Sequence, residues 1–257
     1  MPGGKDLAFA ADVVFVYDGS IEGFLCCVHE SVYSKQIPFS IFCEDDAQPS
    51  LMEERYIETD LIKAQKVRHS VIGQLTPRAM DLVETVFFSC LEQREIALLN
   101  FLLFAYKTGP KAAEMLGHPT VAKLLTAERH LLGECHLLLG FVRFSDYGGK
   151  LASVITPKNF VLPFLARHFI SRFSQEDFLI YDKTHKAALV YQNCEAQIIP
   201  VDSLEFLAAD ETEETYRELW KQFYNTIAIK ERYNPKCRMT HIPKRYWENM
   251  VEMKNLL

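Results

Sequence analysis

Residues 232–247, RYNPKCRMTHIPKRYW, hold five cations, one histidine and three aromatic rings in a chain of net charge −6. Cations bind phosphate groups and aromatic rings stack on bases, so this combination is typical of a surface that binds nucleic acid. Pro243 predicts the start of a helix, whose free N–H groups favour an anion. The predicted nucleic-acid- or phosphate-binding residues of this segment are Arg232, Asn234, Lys236, Arg238, His241, Lys244, Arg245, Tyr246 and Trp247.

The same segment also has an internal interpretation. Residues 202–218 hold seven anions and only one cation. The basic segment could pair with this acidic one inside the fold, with its aromatic rings in the core. The sequence alone leaves both interpretations open.

A second group of basic residues lies in or near the segment ARHFISRF. His168 and Arg172 are four residues apart, so they share a face of the helix predicted there. Arginine grips phosphate or carboxylate with two hydrogen bonds, and histidine transfers protons near neutral pH. Arg143 lies in the apolar segment FVRFS, where it needs a partner, either Asp182 or a bound anion. Structural ion pairs would explain these residues equally well.

Two carboxylates stand near the start of the chain, in the segment YDGSIEG. Asp18 directly follows an apolar strand, at the place where open α/β sheets carry ligand-contacting groups. With Glu22 it could bind a metal ion or transfer protons, although a turn and helix-capping role explains Asp18 as well. Asp18, Glu22 and Asp182 are therefore the possible acid–base residues. No glycine-rich phosphate loop, G-x-S-x-G or H-E-x-x-H motif occurs.

The elements that position these residues can be predicted from apolar periodicity and turn signals. We predict a fold of the α+β class, with a small α/β N-terminal part, a helical middle and C-terminal β-hairpins packed on helices. The N-terminal part is a strand–helix–strand unit with parallel strands, and its predicted range is 1–75, followed by an α+β domain over 76–257. Asn159 and Asp210 are predicted helix caps. The second of these helices has an apolar face of Tyr216, Leu219, Trp220, Phe223 and Ile227.

Composition narrows the class of protein. The chain of 257 residues is 49% hydrophobic and 24% charged, which is ordinary for a globular protein. No apolar run reaches the roughly 20 residues of a membrane-spanning helix, and the first residues do not resemble a signal peptide. Seven cysteines without a C-x-x-C pair indicate reduced thiols, so we expect a cytoplasmic protein with no cofactor and no metal site of recognisable spacing.

Several motifs resemble those of a bacterial family described as probable DNA metabolism proteins. They are YDGSIEGFL, GFVRF, PKNFVLPFLARHFISRF, LIYD and IAIKERYNPKCRMTHIPKRYW, and they occur in this order along most of the chain. The resemblance implies a C-terminal domain of unknown function, a gene beside a radical S-adenosylmethionine protein assigned to DNA modification or repair, and relatives fused to uracil-DNA glycosylase-like domains. It implies no established reaction.

The sequence supports three hypotheses about function. The first is a DNA-metabolism accessory protein that acts with a radical-enzyme partner and binds nucleic acid through its basic and aromatic C-terminal surface. The second is an enzyme that acts on a nucleotide or damaged nucleic acid through an anion site of His168, Arg172, Arg143 and His241. The third is a protein–protein adaptor without nucleic-acid contact.

Overall fold

A computed structural model of the protein describes residues 9–46, 51–204, 211–227 and 234–253. Contacts within the chain divide it into two compact units, Met1–Leu131 and Leu132–Leu257. The boundary predicted after residue 75 falls within the first unit, and it stays a prediction about domain organisation. The α+β class is confirmed, because the described residues form helices together with one parallel and one mixed sheet.

The first unit opens with a three-stranded parallel sheet of order β2-β1-β3. Its elements are β1 (Phe9–Tyr17), α1 (Ile21–Ser34), β2 (Gln36–Cys43) and β3 (Glu53–Tyr56). The parallel register of β1 and β2 confirms the predicted strand–helix–strand unit. Strand β3 was not predicted, because its four residues, EERY, show no apolar pattern.

Helices complete the core of the first unit. They are α2 (Leu61–Gln74), α3 (Pro77–Phe87), α4 (Arg94–Thr108) and the first part of α5 (Pro119–Phe141). Their apolar stripes pack with α1 and with β1 side chains such as Phe15 and Tyr17 in one continuous cluster. Thr76 caps α3 through a hydrogen bond from the Ala79 amide, which satisfies one of the free N–H groups at the helix start.

The second unit is built on a five-stranded sheet. Its strands, in spatial order, are β4 (Ser145–Asp146), β5 (Leu151–Ile155), β6 (Phe178–Asp182), β7 (Ala187–Gln192) and β8 (Glu195–Pro200). Both predicted hairpins, β4–β5 and β6–β7, are confirmed. Strands β5 and β6 pair in parallel and are joined by α6 (Leu162–Arg172), so the unit contains a strand–helix–strand crossover of its own.

Helix α6 covers one face of this sheet through aromatic contacts. Phe144 packs edge-on against Phe169, Phe173 and Phe178, with ring centroids 5.0–5.9 Å apart. Such contacts bury a large apolar area and fix the helix on the strands. The prediction that Asn159 caps this helix is wrong, because the helix begins at Leu162 and Asn159 is buried on a different partner, Glu134.

The described residues after the sheet form three helices: α7 (Glu211–Ile227), α8 (Pro235–His241) and α9 (Lys244–Trp247). The predicted apolar face of α7 is not an inner face, since Tyr216, Leu219, Trp220 and Phe223 are all exposed. The predicted cap Asp210 lies outside the described residues. Within the described part of the chain, no helix has the length and apolarity that crossing a bilayer requires.

Candidate functional site

The carboxyl ends of the parallel strands β5 and β6 lie side by side. Ile155 pairs in register with Asp182, and the Lys183 amide donates to the Ile155 carbonyl at 3.0 Å. The Thr156 hydroxyl donates to the Arg245 carbonyl at 2.7 Å, which brings the start of α9 to the same edge. Ligands of open α/β sheets bind at such carboxyl ends. The segments that meet here carry three lysines, Lys158, Lys183 and Lys244, and we call these three residues the basic edge.

The three lysines of the basic edge are exposed. Lys183 lies 3.7 Å from the Glu248 carboxylate, but both side chains are more than half exposed, so this pair contributes little energy and leaves the ammonium available. The Lys244 ammonium stands 5.9 Å from the centre of the Trp247 ring. A cation held over an aromatic face keeps its charge while losing some freedom.

A buried carboxylate, Glu134 of α5, supports the basic edge from inside. It is 5% exposed and accepts hydrogen bonds from five donor groups. The donors are the Lys158 and Asn159 amides, the Asn159 side chain, the Arg245 guanidinium at 2.7 Å and the Tyr246 hydroxyl at 2.6 Å. Burial acts to raise the pKa of Glu134, but the hydrogen bonds from Tyr246, Lys158 and Asn159 outweigh it and lower the pKa. The carboxylate therefore ties α5, the loop after β5 and α9 together.

The two aromatic rings at the end of the basic segment belong to the core. Tyr246 is 2% exposed and Trp247 6%, and the Trp247 indole N–H donates to the Ile242 carbonyl at 2.9 Å. Burial raises the pKa of Tyr246 well above its usual range, and the hydrogen bond from the phenol to Glu134 acts in the same direction. Rings in such positions are not available to stack on bases, so the core interpretation describes both of them.

Arg245 has a buried partner, which does not belong to the acidic segment 202–218. Its guanidinium pairs with Glu134, and it stacks 4.5 Å from the Tyr246 ring centre. Three described anions of the acidic segment have other partners: Asp202 pairs with Lys186, Glu213 with Arg217, and Glu218 with Lys221. Of the two interpretations that the sequence left open, pairing with the acidic segment therefore does not describe Arg245.

The remaining residues of the basic segment lie on or near α8. Lys236 and His241 are exposed, and the His241 ring lies 2.9 Å from the Cys237 carbonyl. Asn234 caps α8, because its side chain accepts from the Cys237 amide at 3.0 Å. Arg232 and the side chain of Arg238 lie outside the described part of the molecule.

Arg143 does not lie in a strand, because it comes just after the end of α5. Among the described residues its guanidinium makes no bond to Asp182, and its partner is a different carboxylate. Its guanidinium donates to the buried Glu252 carboxylate at 2.8 Å and to the Gly140 carbonyl at 2.8 Å. His168 and Arg172 are exposed one turn apart on α6, as predicted. Among the described residues, no hydrogen bond or ion pair joins Arg143, His168, Arg172 and His241, so the structure does not assemble them into one site.

Asp182 is fully buried and bonds to a residue outside the predicted set, His185. Its carboxylate accepts from the Thr184 and His185 amides, at 2.9 and 3.2 Å, and from His185 Nδ1 at 2.7 Å. The His185 side chain is 28% exposed. The signal was present as Asp-x-x-His directly after a strand, because a hairpin turn of that length returns the histidine to the aspartate.

Asp18 lies at the carboxyl end of β1, where it was predicted. One oxygen accepts from the Ser20 amide at 2.9 Å and hydroxyl at 2.6 Å, and the other from the Thr59 hydroxyl at 2.7 Å. Burial acts to raise the pKa of Asp18, but these hydrogen bonds outweigh it and lower the pKa. Glu22 lies 3.6 Å from the Arg68 guanidinium. Both carboxylates thus have structural partners, and Asp18 fixes the turn into α1.

No group of three or more histidine, cysteine, aspartate or glutamate side chains is arranged to bind a metal ion within the described ranges. None of the seven cysteines forms a disulfide bond. Burial raises the pKa of the Cys135 thiol to about 12, so this group is a poor nucleophile at neutral pH.

Comparison with known proteins gives a match to a family model. No curated protein matches the chain. The family model described as Domain of unknown function (DUF4130) matches residues 92–252, a range that contains Glu134, Asp182 and the whole basic edge. This match covers more than half of the chain, and the chain therefore belongs to the DUF4130 family.

Proposed function

We propose that the protein binds the phosphate backbone of nucleic acid through its basic edge. The observation that carries this proposal is that the segments carrying Lys158, Lys183 and Lys244 meet at the carboxyl ends of two parallel strands. All three lysines are exposed, and phosphate contacts from such cations supply most of sequence-independent binding to nucleic acid.

The support beneath these lysines favours binding over a purely structural role. Glu134 holds the Lys158 amide and the Arg245 side chain, so the two segments that carry Lys158 and Lys244 are fixed before a ligand arrives. A fixed arrangement loses little conformational entropy on binding. The cations that the fold itself uses, Arg143 and Arg245, have buried carboxylate partners, whereas the three lysines do not.

The resemblance of the sequence motifs supports a role in DNA metabolism. On that basis we propose that the protein is an accessory factor that acts with a radical S-adenosylmethionine enzyme on DNA. The basic edge would hold the nucleic acid on which that enzyme acts.

The test is fluorescence anisotropy of labelled single- and double-stranded oligonucleotides at two salt concentrations. Replacing all three lysines with glutamine, K158Q/K183Q/K244Q, removes up to three phosphate contacts, so the slope of log affinity against log salt should fall by about 2–3. Arg245 is left in place because its loss would disturb the core. The matched control is K107Q/K111Q/K123Q, which removes three exposed lysines of the first unit and should bind as the wild type does.

Equal affinity of the basic-edge variant and the wild type, at both salt concentrations, would contradict the proposal. Weaker binding by the control variant to the same extent would mean that only net charge matters, and it would contradict a role for this surface in particular.

A second candidate function, a protein–protein adaptor, rests on α7. Tyr216, Leu219 and Phe223 are each more than half exposed, and they recur at a spacing that puts them on one side of the helix. Exposed apolar stripes of this kind are typical of protein interfaces. If the radical enzyme binds there, L219D/F223D should abolish its co-purification with this protein while oligonucleotide binding stays unchanged.

A further inference from the structure

The hydrogen bond between Asp182 and His185 fixes the tautomer of the imidazole. A carboxylate can only accept hydrogen bonds, so His185 Nδ1, at 2.7 Å from an Asp182 oxygen, must carry the proton. In the neutral ring, Nε2 is then an unprotonated base with a lone pair. No described residue makes a hydrogen bond to Nε2. Within the described part of the chain, the Nε2 lone pair is therefore available to accept a proton from a bound molecule.

The turn holds this imidazole firmly. Asp182 is anchored by the Thr184 and His185 amides, and it is completely buried. The Phe160 ring meets the imidazole edge-on, with centroids 5.5 Å apart and planes at 76°. The ring is thus oriented by a buried carboxylate on one side and confined by an aromatic ring on another. A buried carboxylate that orients a histidine is how proton-transfer sites fix both the direction and the tautomer of the base.

The position of the imidazole links it to the proposed anion surface. His185 lies in the turn after β6, two residues after Lys183, and Phe160 lies in the loop after β5, two residues after Lys158. A phosphate held by Lys158 and Lys183 would therefore lie near the carboxyl edge that carries His185. A positive edge also stabilises the negative charge that develops when a phosphate ester is attacked.

We propose that Asp182 and His185 form a proton-transfer dyad that hydrolyses a phosphate ester of a nucleotide or oligonucleotide. His185 Nε2 removes a proton from a water molecule while the water oxygen forms a bond to phosphorus. The bond between phosphorus and the leaving oxygen then breaks, and the proton passes from Nε2 to that oxygen, which restores the neutral imidazole. Asp182 is a positioning residue that holds Nδ1. This proposal rests on the proposed function, because the basic edge must first bind the ester.

The experiment measures three quantities on the full chain: oligonucleotide affinity, release of nitrophenolate from bis(4-nitrophenyl) phosphate, and cleavage of a labelled oligonucleotide on denaturing gels. H185Q should lower both rates by about 10²–10⁴-fold, the usual contribution of a general base, with affinity changed less than about twofold. The matched control is H168Q, an exposed histidine without an orienting carboxylate, which should keep the wild-type rates.

A measurement on the wild type makes the test independent of the folding of any variant. The ¹⁵N chemical shifts of His185 in the labelled protein should show the Nδ1–H tautomer at neutral pH, and D182N should lose this preference. An Nε2–H tautomer in the wild type would overturn the proposal, because Nε2 could not then act as the base.

The outcomes separate this inference from the proposed function. Wild-type protein that binds oligonucleotide but releases no nitrophenolate and cleaves no oligonucleotide would overturn the dyad and leave the binding function intact. Cleavage that H185Q does not slow would also overturn the dyad. If the wild type binds no oligonucleotide at either salt concentration, the proposed function fails and the dyad fails with it.

Discussion

The two units each contain a strand–helix–strand crossover, and the two crossovers differ in the residues at the carboxyl ends of their strands. In the first unit, β1–α1–β2 ends at a carboxyl edge that carries Asp18. In the second, β5–α6–β6 ends at an edge that carries Asp182 and three exposed lysines. The connections have the same parallel topology, so topology alone does not explain why one edge is acidic and the other basic.

The two aspartates show how the edges differ in chemistry. Both oxygens of Asp18 are occupied by Ser20 and Thr59, groups that shape the turn into α1. Asp182 is anchored in its own turn as well, but one oxygen is left to orient His185, whose second nitrogen has no partner among the described residues. The two aspartates therefore differ in what they hold: Asp18 only shapes its turn, whereas Asp182 also orients a second polar side chain.

The largest effect is expected from removing the charge of Glu134, because this carboxylate holds the segments that carry the basic edge. E134Q keeps the shape of the side chain but places an N–H donor among five donors, so we expect a loss of about 3–5 kcal/mol in the free energy of unfolding. Urea unfolding followed by tryptophan fluorescence measures it, since both tryptophans, Trp220 and Trp247, lie in the second unit. Losing less than about 1 kcal/mol would show that Glu134 does not organise the basic edge.

The control for that measurement comes from the first unit. Glu128 is also a largely buried carboxylate, but it pairs with Arg78, whose side chain is half exposed. E128Q should therefore cost only about 1 kcal/mol, measured by urea unfolding followed by circular dichroism.

Smaller losses in the free energy of unfolding are expected when the two aspartates are replaced, and these losses can be compared directly. D182N should cost about 1–3 kcal/mol, because the change puts an amide among the donors around a fully buried carboxylate. D18N should cost about 1 kcal/mol or less, since an asparagine can still accept from the Ser20 amide at this exposed turn. Thermal unfolding of both variants measures the difference. Equal losses would show that the two edges are equivalent structural turns.

The weakest effect concerns pH. The pKa of Glu134 is lower in the folded protein than its unfolded value of about 4.3, so its charge stabilises the fold above that pH. This stabilisation is lost as the pH falls from about 4.3 toward the folded pKa. Urea midpoints of the wild type and E134Q should therefore converge below about pH 4. A constant gap between about pH 7 and about pH 3 would contradict the lowered pKa.

Local patterns predicted much of the fold from the sequence. The α+β class, the parallel pair in the first unit and both hairpins of the second all depend on residues close together in the chain. The crossover that makes β5 and β6 parallel depends on how two hairpins assemble, and no local pattern encodes it. Strand β8 was missed because its side chains are exposed throughout and show no alternation.

The candidate site was predicted only in part, for the same reason. Lys244 was found from charge density, but the partners of Arg143 and Arg245 are 109 and 111 residues away along the chain. Tyr246 and Trp247 have the same residue types in a binding surface and in a core, so their burial could not be read from sequence. His185 was not predicted, because the pattern Asp-x-x-His does not show by itself that the aspartate is buried and bonds the histidine.

The hydrogen bonds of Glu134 also set an order of events during synthesis. Its amide donors lie within 25 residues, but Arg245 and Tyr246 are made 111 and 112 residues later. At about 5–20 residues per second, the ribosome takes roughly 6–22 s to cover that distance. For that interval the nascent chain carries a carboxylate whose arginine and tyrosine partners do not yet exist. The second unit can therefore complete its fold only after most of its length has been translated. Until then the Glu134 carboxylate is accessible to chaperones.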